Sequence, residues 1–343
     1  MMKKLLVTGG AGFIGSNFIK YILGKYPDYR IVNLDKLTYA GNPDNLIEVE
    51  GNPNYRFVKG DICDSKIVEE LVKGSDVIIN FAAETHVDRS ILEAGDFIKT
   101  DVYGTFVLLE AARKFGIERM IQISTDEVYG EAEGKPSKEG DDLKPKSPYA
   151  ASKTGADRLA FSYFTTYSLP VIITRCSNNY GPNQYPEKMI PLFVTNALMD
   201  LPLPVYGTGK NRRDWIYVLD HCQALDIVLH CQGQEGEVFN VGARKEVSIL
   251  EMVDIILETL GKPKSLIKMV KDREGHVMRH AVDVERIGKV LGWQAETDFE
   301  QGIRSTISWY RENRDWWKKI KEKSESFKEF YKEWYTEKGL TSQ

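Results

Sequence analysis

Ser124-Thr125-Asp126-Glu127 follows the β-branched run Ile121-Gln122-Ile123, so an apolar strand ends abruptly in two hydroxyls and two carboxylates. Reactive groups at the carboxyl end of a strand are where parallel sheets build their sites. Adjacent carboxyls supply an acid and a base, because like charges in contact push two pKa values apart. Which of Asp126 and Glu127 is raised does not follow from residue type. A second group lies at Tyr149 and Lys153, four residues apart and therefore on one helix face. An ammonium beside a phenol favours the phenolate, so this pair can take and return a hydroxyl proton near neutral pH.

Other elements must bring a cofactor and a substrate to these groups. Lys3 to Thr8 reads as a strand, the turn Gly9-Gly10-Ala11-Gly12-Phe13-Ile14-Gly15 follows, and Phe18, Ile19, Ile22 and Leu23 have helical spacing. Gly9 lets the turn close, Gly12 lets backbone N–H groups approach a pyrophosphate, and Gly15 lets the helix pack on the strand. A second strand, Ile31 to Leu34, ends in Asp35, twenty positions after Gly15. A carboxylate there accepts the ribose 2′-OH and repels a 2′-phosphate, which favours NAD over NADP; an Asp that merely starts a loop is the plainer alternative. A third strand, Tyr55 to Val58, runs into Asp61 and Ile62, where Asp61 reaches an adenine amino group or caps a helix starting near Asp64. The strand Val77 to Phe81 ends in Ala82 and Ala83, small enough for a dinucleotide to lie on the backbone, with Thr85 facing the substrate. The pattern predicts a long helix from about Ile91 to Phe115, with Thr100 and Gly104 in its middle and Phe106, Leu108 and Leu109 in the core.

Downstream, Ala132 to Pro148 reads as a mobile surface loop able to cover a site. Val171 to Arg175 is a sixth strand. From Gly181 the alternation loosens and prolines cluster, which places a domain transition there. The Arg212-Arg213 turn offers guanidinium groups to paired phosphate oxygens, or is simply solvated. Asn240, in a short strand, has the chemistry to bind a sugar or base. Ser248 caps a helix to Leu260, Arg273 and His276 form a second cationic cluster, and the aromatic and charged pattern after Trp309 is helical without chemistry of its own. The domains expected are 1–180 for the dinucleotide, with a returning segment near 212–240; 181–211 and 241–320 for the substrate; and a charged helical tail, 321–343.

The chain has 343 residues, 42% of them hydrophobic, with 46 basic against 50 acidic residues and a net charge of −4. No broad basic field exists to hold nucleic acid or an anionic membrane surface, and no apolar run approaches a membrane span. Leu5-Leu6-Val7 is too short for a signal peptide, and a cytoplasmic protein is expected. Cys63, Cys176, Cys222 and Cys231 show no metal-ligating spacing, so buried free thiols and no metal are expected.

The glycine turn, Tyr149-x-x-x-Lys153 and the strand pattern resemble the extended short-chain dehydrogenase/reductases over nearly the whole chain. Ser124 to Gly130 is similar to the signature of their dTDP-glucose 4,6-dehydratase family. So are Asp35 to Asn42, Ala82 to Ser90, Asn178 to Pro182 and Pro186 to Pro191. The resemblance implies a Rossmann-type doubly wound α/β sheet with a smaller C-terminal α/β substrate-binding domain. It also implies a retained NAD and an NAD-dependent lyase that converts dTDP-glucose to its 4-keto-6-deoxy product in deoxysugar biosynthesis, as a homodimer. By the same resemblance Asp126 is the general acid and Glu127 the general base. Thr125 and Tyr149 serve the sugar's 4-oxygen, and Lys153 the nicotinamide ribose. Thr85, Thr125, Asn178, Lys188, Tyr206, Arg213, Asn240, Arg273 and His276 hold the nucleotide sugar. Gly9, Gly12, Phe13, Ile14, Gly15, Asp35, Lys36, Thr38, Asp61, Ile62, Ala82, Ala83, Thr100, Tyr149, Lys153 and Asn179 hold NAD. Val277 and His280 depart from the family pattern near the nucleotide end, which leaves base preference open. A nucleotide-sugar 4-epimerase needs no carboxyl pair, and a decarboxylase needs no acid at Asp126; a redox-sensing protein that only binds NAD needs neither Tyr149 nor Lys153.

Overall fold

The computed structural model describes residues 3–340. Strands β1 (Lys4–Thr8), β2 (Arg30–Asp35), β3 (Tyr55–Lys59), β4 (Val77–Asn80), β5 (Arg119–Thr125) and β6 (Val171–Cys176) alternate with helices, and a seventh, Val238–Val241, returns to the same sheet. Their spatial order is Val238–Val241, β6, β5, β4, β1, β2, β3, and every neighbouring pair is parallel. Helices cover both faces, which is why the central strands are continuously apolar rather than alternating. Leu5, Val7, Val77 and Ile79 pack with Phe18, Ile19 and Ile22 on one face; Leu6, Ile78 and Met120 pack with Val68, Leu108 and Leu109 on the other. The strand order reverses between β4 and β1, and a doubly wound Rossmann-type sheet holds its ligands in the crevice outside that switch point.

The glycine turn is required by close approach. Gly9 has φ of +69°, and a Cβ there would sit 2.6 Å from the backbone nitrogen of Ala82. Any side chain would push β1 away from β4 and close the crevice.

A smaller α/β unit stands over the carboxyl end of the sheet. Its central strand, Arg212–Tyr217, pairs with Glu246–Ser248, Arg279–His280 and Asn178–Tyr180, while Leu203–Tyr206 pairs with Ile267–Val270. Phe193, Val205, Trp215, Ile256, Ile303 and Trp317 are among the side chains of its separate apolar core. The segment after Tyr217 goes back to the large sheet: the helix Val218–His230 packs on the helix Phe13–Lys25, where Lys25 and Tyr26 reach Asp226 at 2.6 and 3.0 Å. The helix Ile249–Leu260 begins, as its sequence predicts, at Ser248, which forms a reciprocal capping box with Glu251.

Three expectations are corrected. The helix predicted from Ile91 to Phe115 is broken in two and is not uniform. Val87–Leu92 stops at Glu93, whose backbone is extended; the chain restarts at Gly95, passes through a π-helical turn, Ile98–Gly104, and becomes α-helical over Thr105–Phe115. The wide turn lets the buried Asp101 accept hydrogen bonds from Ser152 Oγ at 2.6 Å and from the Glu84 N–H at 2.9 Å. Widened helical turns of this kind commonly mark functional sites. Phe106, expected in the core, is 39% exposed, whereas Leu108 and Leu109 are fully buried. The segment 132–148 does not cover the crevice. It is laid along the seam of the two units, with Ala132 N donating to Arg279 O at 3.0 Å and Ser137 N to Ala281 O at 2.9 Å on the smaller, and Lys144 N to Val128 O at 3.0 Å on the larger.

Candidate active site

Strand β5 delivers the carboxyl pair. Its last residue, Thr125, accepts the Glu127 N–H at 3.3 Å and donates to Asp126 Oδ1 at 3.2 Å, starting the short 3-10 turn Asp126–Tyr129. Asp126 is 3% exposed, and its Oδ2 has no partner among the described residues. Burial first, then the negative charge of Glu127, push its pKa up to about 8, against the pull of Arg213. Asp126 is therefore the carboxyl that keeps its proton at neutral pH.

The helix Pro148–Tyr167 brings the second pair. Ser147 caps it by accepting the Ala150 N–H at 3.1 Å. Lys153 Nζ is buried and donates to Ile123 O at 2.7 Å. The phenol of Tyr149 differs from expectation. Burial, with the charge of Glu127 added, raises its pKa well above the ordinary value, against a hydrogen bond from Thr125. Lys153 gives one of its three N–H donors to a carbonyl, and burial holds the phenol protonated.

Asp101, which the sequence reading passes over, ties this helix to the π-helical turn. Burial raises its pKa to about 6 against the Lys153 charge, and its Ser152 contact sits beside both Tyr149 and Lys153.

One cleft runs from these groups over the glycine turn. All sixteen residues expected to hold NAD line it, along with Tyr39, Glu84, Gln184 and Tyr185, which were not foreseen. Its chemistry fits a dinucleotide. Gly12, the N-cap of the helix Phe13–Lys25, has no side-chain cap, so the helix's first N–H groups face the cleft and suit a pyrophosphate. Asp35 takes the Ala11 N–H at 2.9 Å and the Leu37 N–H at 2.8 Å, which fixes its carboxylate at the end of β2. Asp61 does not cap the next helix, a task done by Asp64; it pairs with Lys36 at 2.9 Å on the cleft wall.

A second cleft lies under the smaller unit and collects Lys188, Arg213, Arg273 and His276 with Tyr206. Arg273 Nη1 donates to Asp88 Oδ1 at 2.7 Å, and Arg213 Nη2 to Val277 O at 2.8 Å. Burial lowers Lys188 to about 8, and its Nζ contacts Thr85. Burial and the two arginines lower His276 to about 4, so it is neutral at pH 7 and donates or accepts as an uncharged ring. The Nε of Arg273 and Oδ1 of Asn178 are buried without partners among the described residues, polar atoms ready for a ligand. Val277 and His280 are buried, and neither lines this cleft.

Asn240 is a correction. Its carboxamide accepts from Tyr129 at 2.7 Å and donates to Ser137 O at 3.0 Å and Asp283 O at 3.1 Å, and it lines neither cleft. An Asn with every polar atom satisfied by protein, fully buried, joins the two units and has nothing left for a sugar.

The clefts meet where Glu127, Asn178, Asn179, Gln184 and Lys188 line both. A ligand spanning the second cleft thus ends against Glu127, beside Thr125, Asp126 and Tyr149 of the first.

The family model described as GDP-mannose 4,6 dehydratase matches residues 6–306, stopping before the last two helices. The chain is 52% identical over 306 residues to the low-salt glycan biosynthesis protein Agl12 of Haloferax volcanii, covering 89% of this chain and 98% of that one. It is 48% identical over 319 residues to the dTDP-glucose 4,6-dehydratase of Actinoplanes sp., covering 92% and 99%. Among solved structures, the dTDP-glucose 4,6-dehydratase DesIV of Streptomyces venezuelae, with NAD and TYD bound, superposes with a TM-score of 0.90 at 47% identity, covering 92% of this chain and 99% of that one. With that similarity extending across both units and the two clefts, the chain belongs to the GDP-mannose 4,6 dehydratase family and, within it, to the dTDP-glucose 4,6-dehydratases.

Proposed function

We propose that the chain converts dTDP-glucose to dTDP-4-keto-6-deoxyglucose and water, with NAD retained between the half-reactions. The observation that carries this is a buried Asp126, its Oδ2 unpartnered among the described residues and its pKa pushed up to about 8, beside Glu127 at the meeting point of a dinucleotide cleft and a cationic cleft. NAD, when bound, takes the C4 hydride, lends positive charge that favours ionised Tyr149, and returns the hydride at C6. Tyr149 Oη takes the 4-hydroxyl proton, with Thr125 Oγ1 holding the same oxygen and Lys153 orienting the ribose. The resulting C4 ketone acidifies the C5 hydrogen, which Glu127 removes. Asp126 gives its proton to the 6-hydroxyl, which leaves as water. Glu127 returns its proton to C5 as C6 is reduced, so the carbon skeleton gains and loses equal hydride and the net change is dehydration. Thr85, Asn178, Lys188, Arg213, Arg273 and His276 hold the sugar and its diphosphate, with Tyr206 supporting them. The pair Asp126 and Glu127 favours this over epimerisation, which has no use for a protonated carboxyl.

The domain division we propose follows the apolar cores: 1–177 with 218–241 and 282–295 for NAD, and 178–217 with 242–281 and 296–320 for the nucleotide sugar, the tail being added to the second. Leu92, Ile98, Tyr103 and Phe106, all well exposed on the broken helix, support a homodimer formed through that face. No helix among the described residues is long and apolar enough to cross a membrane, which with the acidic net charge supports a cytoplasmic enzyme acting on a small molecule.

Purified protein given dTDP-glucose without added NAD is expected to form a 4-keto-6-deoxy sugar, read by its absorbance in alkali. UDP-glucose, CDP-glucose and GDP-mannose run beside it report base preference; no product from any of them, with NAD supplied, would sink the reading. Asp35→Ala is expected to weaken NAD binding roughly 10- to 100-fold, the range for losing a charge-assisted hydrogen bond, and to narrow the preference over NADP. Titration of both dinucleotides checks it, and an unchanged preference makes Asp35 a loop anchor only.

A further inference from the structure

The C-terminal helix Glu325–Glu337 begins beyond the last residue of the family match, yet it reaches three of the segments that build the cationic cleft. Trp334 and Phe330 are buried in the smaller unit's core, and Tyr335 lines the cleft itself. Three anchors fix the helix to three cleft segments. Trp334 Nε1 donates to the Tyr206 hydroxyl at 2.6 Å; that hydroxyl donates to Asp88 Oδ2 at 2.7 Å, and the other oxygen of Asp88 holds Arg273 at 2.7 Å. Lys338 Nζ, just past the helix, donates to Asp272 O at 3.3 Å and to Glu274 Oε2 at 3.1 Å, and its carbonyl accepts the Lys271 N–H at 3.0 Å. These bonds grip both sides of the loop that carries Arg273 and His276. At the other end, Ser326 O accepts Arg89 Nη2 at 3.2 Å, while Arg89 is clamped on Glu187, the residue before Lys188, at 2.9 and 2.6 Å. Arg89 also lies between the rings of Tyr39 and Phe330, at 4.1 and 4.4 Å.

We propose that this helix is a strap that fixes the diphosphate-binding cations in place, with Trp334 and Lys338 as positioning residues for the nucleotide. The strap works through hydrogen bonds to groups that would otherwise lose rotamer freedom on binding. Pre-ordering Arg273, His276 and Lys188 moves that entropic cost from binding to folding. Asp88 is the hinge of the relay. Its burial alone would raise its pKa, and Arg273, His86 and the Tyr206 hydroxyl together outweigh this, so it stays ionised and keeps Arg273 facing the cleft. The strap reaches the nucleotide walls and leaves Asp126, Glu127 and Lys153 untouched, so its effect falls on binding and not on the chemical steps.

This inference rests on the second cleft's taking the nucleotide. The test is Trp334→Phe, which keeps the ring and deletes the indole donor, with Lys338→Met as the independent second variant. Each is expected to raise KM for dTDP-glucose, and Kd for dTDP by calorimetry, by roughly 5- to 10-fold, with kcat within about twofold and NAD affinity unchanged. Trp334→Phe combined with Tyr206→Phe is expected to cost no more than Tyr206→Phe alone, because both break one relay. A KM within about twofold of wild type in either folded variant, whatever its melting temperature, overturns the strap. Wild-type protein that binds no dTDP overturns the reading of the cleft and this inference with it; normal wild-type binding with unchanged variants overturns this inference alone.

Discussion

Glu127→Gln is expected to lower the rate of 4-keto-6-deoxy sugar formation by roughly 10²- to 10⁴-fold, the usual worth of a positioned general base. The variant keeps Thr125, Tyr149 and Lys153, so C4 oxidation survives. Mixed with dTDP-glucose, it should accumulate the near-ultraviolet absorbance of reduced nicotinamide while releasing no water, and C5 should no longer exchange deuterium from solvent. The amide is nearly the shape of the carboxylate and Glu127 is only half-buried, so the fold is retained. Dehydration at the wild-type rate would assign the base elsewhere. Removing the Glu127 charge also takes away the second largest cause of the raised pKa at Asp126. In this variant the Asp126 pKa is expected to drop, although burial keeps it above the ordinary carboxyl range.

Asp126→Asn removes the proton donor to the leaving 6-hydroxyl and is expected to cost a comparable 10²- to 10³-fold or more, at about that order, in elimination. The wild-type pH profile carries the same information. Asp126 must be protonated, and its pKa is pushed up to about 8, so kcat should fall tenfold per pH unit above about 8. Stability follows with the same sign. A carboxyl whose folded pKa is raised binds its proton more tightly in the native state, so its contribution is favourable below the ordinary range near 4 and is lost as pH climbs through about 8. Asp126→Asn carries no charge to bury. Its melting temperature should therefore exceed that of wild type at pH 9, and the gain should shrink steadily toward pH 4. An Asp126→Asn enzyme within tenfold of wild type would reduce Asp126 to a structural residue.

The parts of this molecule that are legible in sequence are those decided by local chemistry. A glycine at φ of +69° against the Ala82 backbone, an Asp at the end of β2, and two carboxyls at the end of β5 need few distant contacts to do their work, and their types announce it. The Ser248 cap is legible for the same reason. Asn240 misleads because its residue type says only that it will hydrogen-bond; the partners, Tyr129, Ser137 and Asp283, come from 43 to 111 residues away. Tyr149 misleads in a related way, since Lys153 is close in sequence but bound to Ile123 O. The C-terminal helix carries no reactive pattern at all. Its meaning lies in which loops it touches, and side-chain periodicity reports the buried face without naming what covers it.

The π-helical turn at Ile98–Gly104 gives one helix two angular registers. An α-helix advances about 100° per residue, so the additional residue of a widened turn rotates everything beyond it by about that much without bending the axis. Before and within the turn, Thr100 faces the dinucleotide cleft and Asp101 faces Ser152, while after it Leu108 and Leu109 face the sheet. A uniform α-helix has a single stripe to offer, and it would have to choose between these duties. The inserted residue thus acts as a phase shift, letting the wall of an active site and the wall of a hydrophobic core be tuned by separate sets of positions along one continuous rod.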